Sequence, residues 1–229
     1  MTRIIATPQN ADYGDVVIPE GVLTIDINCF NDCDTLTSLT LPTTLRQLPQ
    51  VTFCDSLQRV TIPSTIKSDC NYGFYGNTSL TEIVFPDGNS YFTFENGCLY
   101  AANKTKLLAA MPALVSGAVE VPSSIETICM LAFSCCDKVT SAVIPDSVTE
   151  VYNDVFYNCT SLTDVYVGTT TDNTLSMFTG GDNLTNIVFG SGVQEINFWC
   201  MDNSGEKLES VIFGPNVERI AAYSFANSH

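Results

Sequence analysis

A β-rich solenoid of about nine coils is the fold class this sequence predicts, and three observations predict it. A dipeptide of an apolar residue followed by proline or glycine recurs along nearly the whole chain. Apolar residues alternate with others just ahead of it, as in "LTLP" and "VTIP". No window of ten or more residues places its apolar residues at helical spacing, and β-branched residues are abundant.

The dipeptide stands at Ile18-Pro19, Leu41-Pro42, Ile62-Pro63, Phe85-Pro86, Val121-Pro122 and Ile144-Pro145. Glycine takes the proline's place at Val167-Gly168, Phe189-Gly190 and Phe213-Gly214. From Pro19 to Gly214 the steps are 23, 21, 23, 36, 23, 23, 22 and 24 residues. Each element of the unit follows from this register. Apolar residues three places before the proline (Leu39, Val60, Ile83, Val165, Ile187, Val211) belong to a short inner strand with one face inward. The proline or glycine then turns the chain. Apolar residues three places after it (Val22, Leu45, Ile66, Ile125, Val148, Val193, Val217) and six places after it (Ile25, Leu48, Ile128, Val151, Ile196, Ile220) predict a short extended or 3₁₀ convex segment. An aromatic eleven places after it fills the corner: Phe30, Phe53, Phe74, Phe133, Phe156 and Phe225. A leucine, as in Leu36-Thr37 and Leu162-Thr163, closes the unit and leads into the next strand. One such unit cannot bury its own apolar face, whereas stacked copies build a continuous core with parallel strands along one side. The expectation is a single solenoid over residues 1–229, with residues 1–14 as a partial N-terminal cap.

The 36-residue step holds 13 residues more than the 23-residue unit. Asn96-Gly97 lies there between alternating apolar residues, the strongest short hairpin signal. A β-hairpin insertion within residues 87–117 would project from one coil and house the extra length. Phe92, Phe94, Leu99 and Tyr100 on it either extend a binding face or pack on the neighbouring coils.

The repeats resemble a known family. "IPEGVLTIDINCFNDCDTLTSLTLP" and "IPDSVTEVYNDVFYNCTSLTDVYV" are similar to the BspA-type, or Treponema pallidum-type, leucine-rich repeat. Its unit reads roughly I-P-x-x-V-x-x-I-x-x-x-A-F-x-x-C-x-x-L-x-x-I-x, and the likeness covers about residues 15–228. The coil from Pro42 departs by being two residues short, which places the gap around "FCDSL". Met201 stands for the aromatic in the coil from Gly190, and the coil from Gly168 lacks apolar residues at its convex places. The resemblance implies a leucine-rich-repeat solenoid, a right-handed superhelix, in which inserted hairpins are common. It also implies a surface protein of bacteria or protozoa that adheres to host or matrix proteins.

Composition narrows the function classes. With 25 acidic and 9 basic side chains the net charge is −16, which phosphate backbones and anionic membranes repel, so no nucleic-acid partner is expected. The longest apolar run, "LLAAMPALV", falls short of the roughly 18 residues of a membrane helix, so no membrane insertion is expected. Residues 1–14 do not read as a secretory signal, which leaves a cytoplasmic or virion-borne protein open beside the cell-surface or secreted location that the resemblance implies.

Catalysis and metal binding find little support. The single histidine is His229, so no Cys-His or Ser-His-Asp system has a base in the body of the chain. Cys29-x₃-Cys33 is the nearest approach to a metal motif, and repeat places explain both residues. Cys33, Cys136 and Cys159 share one place, three after the corner aromatic, with Asn77 and Ser228. That place calls for a small, mildly polar filler, and Cys there behaves as a compact buried hydrophobe. Cys136 and Cys159 fall on adjacent coils where a disulfide is geometrically conceivable, but reduced thiols are expected; Cys135-Cys136 is a weak redox candidate. Of four glycosylation sequons, at Asn77, Asn103, Asn158 and Asn183, three fall in the corner grammar of the repeat, and only Asn103 invites a test. No enzyme activity and no cofactor are expected.

What remains is a surface. Alternation turns the residue two before the proline outward on the concave sheet: Val17, Thr40, Thr61, Val84, Glu120, Val143, Tyr166, Val188 and Ile212. Most are apolar or β-branched, either because they form an interaction site or because strands favour such residues. The half from Val143 to Ile212, with Glu120 beside it, is the better candidate, and Phe92, Phe94 and Tyr100 of the hairpin are the second. The sequence therefore points to a non-catalytic protein-binding scaffold. The alternative is a building block of a virion or cell-envelope layer that self-associates through solenoid ends. The last coil ends at Phe225 without its closing leucine strand, so a C-terminal continuation or an end-to-end contact is expected there.

Overall fold

The computed structural model describes residues 2–4, 13–67, 73–169, 177–196, 207–222 and 224–225. Strands Gly14–Val17, Leu36–Thr40, Arg59–Thr61 and Glu82–Val84 pair in that order as one parallel sheet. Gly117–Glu120, Val139–Ile144, Asp164–Thr169, Asn186–Gly192 and Ser210–Ile212 form a second parallel sheet. These are the expected inner strands, one from each repeat, and the described residues contain no helix and no 3₁₀ turn. Leu39, Val60 and Ile83 are partners across the first sheet, and Ala142, Val165 and Ile187 across the second, none more than 7% exposed. Alternation thus stacks like rungs on like rungs, and the core runs along the solenoid axis.

After most inner strands the carbonyl of the proline or glycine accepts the amide three residues on, as in Leu45 N to Pro42 O at 3.1 Å and Ile125 N to Pro122 O at 2.9 Å; at Pro86 the turn closes from Gly88 N to Phe85 O instead. Proline has no amide, so it ends the ladder at the turn. Glycine keeps its amide, and the strands Asp164–Thr169 and Asn186–Gly192 run on past Gly168 and Gly190. Close approach also demands glycine here: a Cβ on Gly190 would lie 2.7 Å from the Tyr166 ring carbon Cζ.

Convex segments are extended, and several are only two residues long, as in Thr127–Ile128 with Glu150–Val151 and Glu195–Ile196 with Arg219–Ile220. At the N-terminal end, Thr2–Ile4 pairs in parallel with Val22–Ile25. Corner aromatics stack along the axis. Phe133 lies 5.1 Å from Phe156 at 16°, and Phe156 lies 5.7 Å from Phe178 at 9°.

The corner register departs from the sequence expectation in two coils. In the short coil Val51, not Phe53, is the partner of Phe30 and is fully buried. Phe53 is half-buried, has φ 54°, and meets Tyr75 edge-on at 5.4 Å. The missing pair of residues therefore lies between Leu48 and Val51, ahead of the corner. The span from corner to closing leucine is unchanged, since Val51 to Leu57 matches Phe30 to Leu36. In the coil from Gly168 the corner falls one residue early, on Phe178. The convex places of that coil, and Met201, lie outside the described residues.

The insertion is a hairpin, but it does not project. Phe92–Glu95 and Cys98–Ala101 pair antiparallel, turning at Asn96 and Gly97, which both have positive φ as that turn requires. Cys98–Ala101 then pairs antiparallel with Lys106–Ala110, and Lys106–Ala110 pairs in parallel with Thr127–Ile128. The strand Lys106–Ala110 is thus the convex segment of its own coil, and the hairpin adds two strands to the convex sheet. The core falls into two clusters, and the hairpin serves both. Phe92 and Leu99 belong to the N-terminal cluster, Cys98 and Tyr100 to the C-terminal one.

Candidate functional site

The outward row falls into register across both sheets. Val17, Thr40, Thr61 and Val84 are partners across the first. Glu120, Val143, Tyr166, Val188 and Ile212 are partners across the second. Val143 is 37% and Ile212 56% exposed, Glu120 is exposed, and Tyr166 and Val188 are half-buried. Apolar side chains on four successive strands therefore form one ribbon, with Glu120 at its end. A groove of about 180 Å³ runs over it, lined by Ser141, Val143, Asp164, Tyr166, Asn186 and Val188.

A second row, two residues earlier on each strand, escaped the sequence reading although the same alternation places it there. It runs Asp15, Ser38, Arg59 and Glu82 on the first sheet and Ala118, Ser141, Asp164, Asn186 and Ser210 on the second. Its members bond along the row. Ser38 Oγ and Thr37 Oγ1 donate to Asp15 Oδ1 at 2.7 and 3.0 Å, and these bonds lower the Asp15 pKa. Arg59 Nε lies 3.5 Å from Glu82 Oε2, and Asn186 Nδ2 donates to Asp164 Oδ1 at 2.8 Å. The concave face thus carries an apolar ribbon beside a polar row.

The hairpin candidates sit elsewhere. Phe92 and Tyr100 are buried, at 3% and 5% exposure, and Phe94 is half-buried against the N-terminal cluster. Packing on the neighbouring coils uses these side chains, so Phe92 and Tyr100 do not form part of an exposed face. Contiguous apolar residues in "CLYA" carried the signal, because a strand buried on both faces shows no alternation.

The cysteine place has a defined task. Cys54 Sγ donates to Phe30 O at 3.4 Å, Asn77 Nδ2 to Val51 O at 2.8 Å and Cys159 Sγ to Phe133 O at 3.0 Å. In each case the acceptor is the carbonyl of the corner residue one coil earlier, which burial cuts off from water. In these three coils the place calls for a small donor, beyond mere filling, whereas Cys33 and Cys136 bond within their own coil, to Asn31 O and Ser134 O. Burial raises the thiol pKa of Cys98 to about 11 and of Cys54 and Cys159 to about 12, so these groups are neutral and unreactive. Cys136 and Cys159 are both reduced, whereas Cys129 is disulfide-bonded. Among the described residues no group of His, Cys, Asp or Glu is placed to hold a metal ion, and no helix is long and apolar enough to cross a membrane.

Parallel strands of about 23 residues' spacing, corner aromatics and a buried donor place together define a leucine-rich-repeat solenoid. The model of the BspA-type leucine-rich repeat region matches residues 9–109 and 116–229 in six copies. The chain belongs to that family. Its structure is similar to a leucine-rich repeat protein from Eubacterium ventriosum (TM-score 0.59, 19% identity, 93% of this chain and 76% of that one). It is similar also to a leucine-rich cell surface protein from Faecalibacterium prausnitzii (0.58, 19%, 84% and 63%) and to the pneumococcal vaccine antigen PcpA (0.53, 14%, 96% and 73%). At these identities the likeness establishes the fold. No curated protein sequence matches the chain.

Proposed function

We propose that the chain is a non-catalytic scaffold that binds another protein through its concave sheet, at the cell surface. The observation that carries this reading is the in-register ribbon Val143–Tyr166–Val188–Ile212 bordered by the polar row. Apolar groups exposed in a continuous line on a rigid sheet are costly in water and are offset by a partner. The family's association with protein interaction, and a structural neighbour from Faecalibacterium prausnitzii that is a leucine-rich cell surface protein, support the reading. The test is binding of the purified chain to a panel of immobilised matrix and host-surface proteins, with and without the combined changes Tyr166→Glu, Val188→Glu and Ile212→Glu. Loss of binding with an unchanged melting curve is expected; undiminished binding would remove the concave ribbon from the reading.

A second reading, self-association through the C-terminal end, is favoured by one observation. Phe213 and Ile220 on the last described coil are about half exposed, at 46% and 50%. Sedimentation across a concentration series distinguishes it, since a strict monomer excludes it.

A further inference from the structure

The inner surface is interrupted where the hairpin enters: Glu82–Val84 ends one sheet and Gly117–Glu120 begins the other. Gly117 N donates to Lys138 O at 2.7 Å and Val121 N to Val143 O at 3.0 Å, so these amides face the following coil. Backbone groups alternate sides along a strand, and those of Ala118 and Glu120 therefore face the interruption. Among the described residues they have no hydrogen-bond partner, and both residues are exposed. Along this edge lies a cleft of about 280 Å³. Cys98 and Tyr100 of the hairpin wall it, with Leu107, Leu114 and Phe133, and Glu120 is the single charged residue among those lining it.

We propose that the edge Gly117–Glu120 accepts an extended basic–aliphatic segment of a partner protein as an added strand. An unpaired strand edge supplies donors and acceptors at strand spacing, which is what an extended backbone recognises. The incoming strand alternates its side chains as the inner strands do. One set turns into the cleft beside Leu114 and Val119, the accessible apolar side chains of its lining, and is aliphatic. The other turns onto the concave face beside Glu120 and is lysine or arginine. Charge complementarity selects the cationic partner twice, locally through Glu120 and globally through the net charge of −16. The inference does not depend on the apolar ribbon, which lies on other strands.

Fluorescence anisotropy with a labelled acetyl-Thr-Val-Lys-Val-Lys-Val-Thr amide tests it on the full chain. Saturable binding is expected, with at least a tenfold loss for Glu120→Lys and for the peptide in which glutamate replaces both lysines. Ala118→Pro removes an amide that has no internal partner, and it is expected to weaken binding at least tenfold without lowering the melting temperature. Two N-methylated peptides give a test on the unaltered protein: methylation at both lysines and methylation at the valines between and beside them. Strand addition predicts that one of the two binds and the other does not. Equal binding of both, indifference to Ala118→Pro in a folded variant, or no saturable binding would overturn the proposal. So would loss of peptide binding in Ile212→Glu, which would move the peptide to the ribbon.

Discussion

Replacing Phe156 and Phe53 by alanine, one at a time, separates the repeat pattern from the structure. Read as a pattern, both are corner aromatics and both changes should cost the same. In the structure Phe156 is fully buried between Phe133 at 5.1 Å and Phe178 at 5.7 Å. Full burial of such a ring contributes about 1.5–3 kcal/mol. Each stacked neighbour adds about 0.5–1.5 kcal/mol, and the rigid coils on either side leave a cavity rather than collapse. Phe156→Ala should therefore cost about 3–5 kcal/mol. Phe53 is half-buried with one edge-on contact, to Tyr75, and Phe53→Ala should cost about 1–2 kcal/mol. Urea unfolding followed by both circular dichroism and fluorescence measures the difference, provided the two probes give coincident transitions and the m-values agree. Equal costs would refute the register in which Val51 holds the corner.

Three further outcomes follow from particular contacts. Asn77 is fully buried, with Nδ2 donating to Val51 O and Phe74 O and Oδ1 accepting from Cys54 N at 2.9 Å; Asn77→Ala should cost about 2–4 kcal/mol in the same urea assay, and Asn77→Cys, the repeat's own alternative, distinctly less. The buried thiols have folded pKa values raised from 9.0 to about 11–12, so the stability they contribute is full below pH 9 and is lost as the pH rises through that range; melting temperatures from pH 8 to 11 should fall, and fall less in Cys159→Ser. Asn103 lies exposed in a turn with Oδ1 accepting Thr105 N at 3.2 Å and Thr105 Oγ1 at 3.1 Å, whereas the Asn77 amide is consumed inside the coil; secreted from a eukaryotic host behind a fused leader, the folded chain should carry glycan at Asn103 and none at Asn77 by mass spectrometry.

Much of this architecture was legible because a repeat states its rule many times. Val60, Ile187 and their equivalents sit at one place in a proline-based register, and two-fold alternation sends them inward whatever the neighbours are. The outward row was legible for the same reason, and Tyr166 and Ile212 needed only the parity of their strand. Phe53 shows where a register of spacings stops. A two-residue deletion can be absorbed on either side of the corner, and only the pairing of Phe30 with Val51 decides between them.

The hairpin marks the same boundary more sharply. Asn96-Gly97 sets the reversal locally, because both residues accept positive φ at small cost. Whether the hairpin stands off the solenoid or enters it depends on what its two faces meet. Leu99 finds one apolar cluster and Tyr100 the other, and both burials are won only by placing the strand between them. The interruption of the inner sheet, and the unpaired edge at Ala118 and Glu120, follow from that placement. By itself the sequence determined the period, the inward rungs and the outward ribbon, since these depend on spacing along the chain. Tertiary structure alone decided the corner of the short coil, the seat of the hairpin and the open edge, because those depend on which distant surfaces compete for the same buried space.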